Sequence, residues 1–242
     1  MWSRRYVLAA AMLPLALLVT WDAPERETVT ERGTDVSATR PAAPRPAIVG
    51  RLAWRAEEAR EPADYTESVE AVFVHHTNHP NEYDCAKDVP GMLRSMQEDH
   101  IEGKGWDDLG YNFVVDRCGN VYEGRAGGAD KAVEGAHTKG FNARSVGIGA
   151  LGHFGAGEEV PRPMLEAIAA VAAWKLRPGV DPRGRARMVS TNDASRYSKG
   201  TAVRLDVIAG HRDGYHTDCP GDALYEALPR LRELTARLRD EG

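Results

Sequence analysis

The chain has 242 residues, a formal net charge of −5, 42% hydrophobic residues and three cysteines. That length fits one large domain or two small ones and buries a sizeable core without disulfide staples. The mildly negative, scattered charge argues against a nucleic-acid binder. Three cysteines exclude a disulfide-dense mini-protein and a four-cysteine zinc ribbon, and when oxidised they leave one cysteine over.

Residues 1–21 read as a signal peptide or N-terminal anchor. Arg4 and Arg5 precede an apolar run of 13 residues, Val7 to Val19, interrupted only by Pro14. Spanning a bilayer takes about 20 residues, so the run suits a signal-peptide core better. Ser3-Arg4-Arg5-Tyr6-Val7-Leu8 resembles a twin-arginine export signal. No small-x-small cleavage site precedes Trp21, which leaves an uncleaved anchor open. Residues 22–46, with Pro24, Pro41, Pro44 and Pro46, lack hydrophobic periodicity and read as a disordered linker. A single folded domain is expected over 47–242.

Within it the pattern is mixed α/β. Val69 to Val74 is an apolar, β-rich run. Asp88 is positioned to N-cap a helix with Val89, Met92, Leu93 and Met96 on one face. Phe113 to Val115 and Val121-Tyr122 flank a hairpin turn at Cys118-Gly119-Asn120. Ser145 to Leu151 reads as a strand. Pro163 to Leu176 reads as a helix with Met164, Leu165, Ile168, Val171 and Ala172 inward, stopped by Pro178-Gly179. Arg183 to Lys199 reads as a loop or weak hairpin, and Val203 to Ile208 as one strand. Asp222 to Arg239 is helical, with Leu224, Leu228, Leu231, Leu234 and Leu238 inward and a kink or restart at Pro229.

Three constellations can carry chemistry. His75-His76 ends the first strand, where α/β sheets present ligands; an isolated histidine pair is more often an ordinary one. His211 follows another strand, with Cys219 eight residues on. His75, His211 and Cys219 would give zinc three ligands and leave a fourth position open, the arrangement of catalytic sites. Tyr111 lies in the loop-to-strand segment Gly105 to Phe113; alone, it reads first as a core aromatic. Gly147-Ile148-Gly149-Ala150-Leu151-Gly152 matches the dinucleotide fingerprint. The residues after it, His153 to Gly157, do not start a helix, so the motif reads as a small-residue strand packed closely on a neighbour.

Taken in order, these pieces resemble the peptidoglycan recognition protein family, the type 2 zinc N-acetylmuramoyl-L-alanine amidases, and among them secreted actinobacterial members. The matching pieces are Arg51-Leu52-Ala53-Trp54, Val72 to Thr77, Gly105 to Phe113, Val121 to Arg125, Gly135-Ala136-His137-Thr138, Ser145 to Ile148, Gly210 to Asp213 and Thr217 to Gly221. The resemblance implies a mixed central β-sheet flanked by helices and a groove for peptidoglycan. It implies Zn2+ held by His75, His211 and Cys219, with Tyr111 catalytic. Phage lysozyme-like amidases carry a lysine two residues before the ligand cysteine; Thr217 stands there and is expected to take over part of its role. His137, Arg125, His76 and Asn112 are the implied substrate-binding residues. The implied reaction is hydrolysis of the amide joining N-acetylmuramic acid to L-alanine.

The remaining cysteines, Cys85 and Cys118, are expected to form a disulfide in an exported domain. The loop it closes would be worth about 3–4 kcal/mol; two separate thiols are the alternative. Two other readings of the site stay open. Cys219 could be a nucleophile, its thiol acidified by a following helix N-terminus, or the domain could bind peptidoglycan without cleaving it. The expected protein is exported, secreted or cell-wall associated. It is expected to be a monomer that takes peptidoglycan and no nucleic acid.

Overall fold

A computed structural model describes residues 43–241, so the leader expected at 1–21 and residues 22–42 of the linker expected at 22–46 lie outside the described residues. The domain begins a little earlier than its apolar pattern suggests. Ala43 is buried. The Arg45 guanidinium pairs with Asp130 at 3.0 Å and lies 5.6 Å over the Trp174 ring. A polar, proline-rich stretch can thus be held by one arginine that finds a carboxylate and an indole.

In chain order the elements are β1 (Ile48–Val49), α1 (Arg51–Trp54), β2 (Ala71–His76), α2 (Val89–Glu98) with a π-helical turn over Asp99–Gly103, β3 (Phe113–Val115), β4 (Val121–Glu123), β5 (Ser145–Ala150), α3 (Arg162–Lys175), β6 (Arg185–Val189), β7 (Ala202–Asp206), β8 (Ile208–Gly210), α4 (His211–Gly214), α5 (Asp222–Glu226) and α6 (Leu228–Glu241). Six strands form a mixed sheet in the order β1-β4-β3-β5-β2-β8. Only β3 and β4 run antiparallel, joined by the expected hairpin. The Asp116 carboxylate pins that turn by accepting from the backbone N–H groups of Cys118 and Asn120.

Alternation along the strands sorts the two faces. Val72, Val74, Phe113, Val115, Val146, Ile148 and Ala150 point to the back, where α3 and α6 supply Met164, Ile168, Val171, Leu228 and Leu231. On the front, Val114 and Tyr122 pack with Trp54, Leu93 and Met96 of α1 and α2. Phe73 packs there with Phe141, Met188 and Leu205 under a separate β6–β7 ribbon.

Four sequence expectations change. Arg183 to Lys199 is not all loop: β6 lies within it and pairs with β7, so its partner falls outside that segment. Val203 to Ile208 is not one strand. Leu205 faces the ribbon's cluster, whereas Ile208 enters the main sheet beside β2. The Asp88 side chain does not cap α2; it accepts the Asp84 N–H instead. On the last helix Leu234 and Leu238 are only partly buried, and Thr235 and Arg239 take the inward face. The Arg239 guanidinium donates to the carbonyls of Leu176 and Arg177 at the end of α3. Pro229 restarts the helix as expected, with α5 ending at Glu226 and α6 beginning at Leu228.

Candidate metal centre

Strand register builds the site. β2 and β8 are parallel, with Val74 opposite Gly210. The next residue in the chain after each is a histidine, His75 still on β2 and His211 opening α4, so the two emerge side by side with their rings 4.4 Å apart. The chain turns through α4 and returns Cys219 to the same point. There, donor atoms of His75, His211 and Cys219 all lie within 4.8 Å of one another. Cys219 Sγ is 3.8 Å from His75 Nδ1. Zinc bonds of about 2.0 Å to nitrogen and 2.3 Å to sulfur at a tetrahedral angle place those atoms about 3.5 Å apart, so the donor set fits that metal. The His76 backbone N–H donates to Cys219 Sγ at 3.3 Å, which favours the thiolate.

Burial sets the resting charges. It holds His75 well below the ordinary histidine value, with His211, His137 and His76 adding to the shift. It brings His211 down to about 4, helped by His76. Both imidazoles are therefore neutral at physiological pH, with lone pairs available. Burial also pushes the Cys219 thiol up to about 12. That works against a free, acidic nucleophile. The helix after it, α5, is only five residues long, and the N–H of its second residue, Ala223, is donated to Phe154 O.

Tyr111 stands beside His75 with ring centroids 5.2 Å apart. Burial, then the charge of Cys219, pushes its phenol above the ordinary value, so it stays protonated. Its ring occupies space left by β5. A Cβ on Gly149 would come within 3.0 Å of the Tyr111 ring, and one on Gly147 within 2.2 Å of His137. The dinucleotide-like motif is thus a strand whose front positions are bare so that the Tyr111 and His137 rings can lie against it. A groove of about 560 Å³ opens over the cluster. It is lined by His76, Tyr111, His211, Thr217 and Cys219 and, from the α2 side, by His100.

Residues 65–222 match the N-acetylmuramoyl-L-alanine amidase family (Amidase_2). The chain belongs to that family. It is 34% identical over 193 residues to the N-acetylmuramoyl-L-alanine amidase of Sus scrofa, covering 76% of this chain and 27% of that protein. It is 33% identical over 202 residues to the Homo sapiens protein of the same name, covering 80% and 30%. The chain thus spans about three-tenths of the length of these curated relatives. Among solved structures, peptidoglycan recognition protein LE in complex with tracheal cytotoxin superposes with a TM-score of 0.60 at 28% identity, covering 76% of this chain and 93% of that one. The fold expected from the resemblance is the fold found.

In this amidase-family domain the expected substrate-binding residues divide by depth. His76 lines the groove, and its ring stacks on His153 at 5.5 Å. Thr217 lines it too, and its hydroxyl accepts the Cys219 N–H, bracing the ligand loop. His137, Asn112 and Arg125 are not among the groove-lining residues. His137 lies behind His75. Asn112 spends its amide on Val133 O and Gly147 N. Arg125 reaches Asp107 and Leu109 O. Asn112, its amide fully engaged, has little left for a ligand, whereas His137 keeps an unpartnered Nε2 and Arg125 is only half-buried.

Sequence reasoning passed over His100. Its Nδ1 accepts the Gly110 N–H at 3.0 Å, and its ring lies between Trp106 and Tyr111. Its place just before the Gly105-to-Phe113 segment was the available signal.

Proposed function

We propose that this domain is a zinc-dependent amidase that hydrolyses the bond between N-acetylmuramic acid and L-alanine in peptidoglycan. The observation that carries the reading is the convergence of His75, His211 and Cys219 at the edge of an open groove, with Tyr111 beside them. The amidase names of the mammalian relatives support the reaction. The substrate is supported by recognition protein LE, whose bound tracheal cytotoxin is a monomeric diaminopimelic acid-type peptidoglycan. A domain that only recognised peptidoglycan would have no use for a complete two-nitrogen, one-sulfur donor set with an open side.

Zinc held there supplies a Lewis acid and an activated water. The chain's own groups do the rest. His75 and His211 present neutral nitrogens, and His76 N–H steadies the Cys219 sulfur. Tyr111, held protonated, donates a hydrogen bond to the oxygen on which negative charge develops; it is a poor base. Thr217 fixes the ligand loop from the groove side. Export is part of the same proposal, since the Cys85–Cys118 bridge suits an oxidising compartment.

The test is digestion of purified peptidoglycan with and without a chelator, with mass identification of the products. Release of stem peptides beginning with L-alanine, lost on chelation and restored by zinc, is expected. Undiminished release from metal-free protein would sink the proposal.

A further inference from the structure

Behind the proposed ligand His75 lies a polar contact that the site as described does not use. Thr138 is wholly buried. Its hydroxyl is 3.3 Å from His75 Nε2 and 3.0 Å from His137 Nδ1, and the two ring nitrogens are themselves 3.3 Å apart. This triangle sits on the side of His75 opposite the nitrogen facing Cys219. We propose that Thr138 is a positioning residue for the metal centre. Its hydroxyl, closing a triangle with His75 Nε2 and His137 Nδ1, fixes the ring and tautomer of His75 that present Nδ1 to the metal.

The inference rests on the zinc reading above and follows from counting protons. A ligating Nδ1 must be bare, so the His75 proton is on Nε2 and points into the triangle. At 3.3 Å, a second N–H on His137 Nδ1 would crowd it, which favours an accepting nitrogen there. The hydroxyl then accepts from His75 Nε2 and donates to His137 Nδ1, an arrangement that pairs all three atoms and also uses the hydroxyl proton. His137 then carries its proton on Nε2, a buried atom without a protein partner.

The hydroxyl is held rigidly. The Thr138 backbone N–H donates to Asn142 Oδ1 at 2.7 Å. Its methyl packs against Gly214, where a Cβ would come within 2.8 Å of it. Gly214 ends α4, the short helix begun by His211. Thr138 therefore touches the supports of both histidine ligands. Outer-shell partners of this kind typically govern metal affinity by about 10–100-fold.

Two substitutions separate hydroxyl from shape. Thr138→Val keeps the packing and removes the hydrogen bonds; Thr138→Ser keeps the hydroxyl and removes the methyl. Zinc affinity of each full-chain protein is measured by chelator competition. Nitrogen-15 NMR reads the histidine tautomers of the zinc-loaded wild type, and thermal melting checks folding. The expected result is affinity about 10–100-fold weaker in Thr138→Val and restored to within a few-fold in Thr138→Ser, with His137 in the wild type protonated on Nε2. Equal zinc affinity in wild type and Thr138→Val, or a His137 proton on Nδ1, would overturn the proposal. A wild-type protein that takes up no zinc would overturn the function proposed above, and this inference with it.

Discussion

Two clusters among the described residues gather three possible metal ligands within 4.8 Å: His75, His211 and Cys219 in one, Cys85, Asp116 and Cys118 in the other. By distance alone they are equals. In the second, the sulfurs are joined to each other as a disulfide. Its Asp116 carboxylate is spent on the backbone of Cys118 and Asn120 and on the Asn120 and Tyr122 side chains. In the first, the sulfur faces the bare side of one histidine and accepts only a backbone N–H from the residue beside it. Proximity gathers ligands; uncommitted lone pairs make them available. One cluster holds the chain and the other is left with bonds to make.

Substitutions should separate them. The largest effect is expected from Cys219→Ser, which should weaken zinc retention by more than about 100-fold, beyond the range of outer-shell changes. Peptidoglycan hydrolysis should vanish with it, while the metal-free melting temperature moves little. Metal analysis after dialysis and a product assay check this. Removing the other pair, Cys85→Ser with Cys118→Ser, should do the reverse. Stability in urea should fall by about 3–4 kcal/mol, with hydrolysis by the folded protein unchanged. Loss of zinc in that variant would erase the distinction.

Protonation sharpens the contrast further. Between roughly pH 5 and 9 the metal-free histidine ligands are already neutral and the Cys219 thiol, at about 12, is still protonated. Near pH 6, below the value of about 7 at which a zinc-bound water ionises, zinc uptake should therefore release one proton, and affinity there should rise about tenfold per pH unit. Calorimetry in two buffers of different ionisation enthalpy counts the proton; a release near zero or two would contradict the charge states described. The smallest effect is expected at Gly149→Ala. The added methyl meets the Tyr111 ring at 3.0–3.3 Å. Overpacking of that kind costs about 1–3 kcal/mol, and hydrolysis should fall with zinc binding intact.

Much of this was legible in the sequence, and the reasons differ by element. The ends of β2 and β8 could be read because an apolar run followed by histidine carries its own signal, and parallel register then delivers the two rings together. The Pro229 restart could be read because proline acts locally. The β6–β7 ribbon could not, since a polar strand has no hydrophobic period and its partner lies beyond a loop of 12 residues, 190–201. Nor could depth behind the site. His137, Asn112 and Arg125 have the right chemistry for a groove, but residues far away in sequence decide which of their atoms remain free: His75 for the first, Gly147 and Val133 for the second, Asp107 and Leu109 for the third.

The bare front of β5 has a consequence for descent. Neither Gly147 nor Gly149 has a backbone angle that demands glycine; each is required only by a ring lying where its own side chain would be. That constraint belongs to the pair and not to the strand. Where a descendant of this domain replaces Tyr111 by a small residue, the ban on a side chain at 149 lapses with it. The two positions should therefore vary together, so that an alanine or serine at 149 marks lineages that keep the groove but have lost the tyrosine beside the histidine pair.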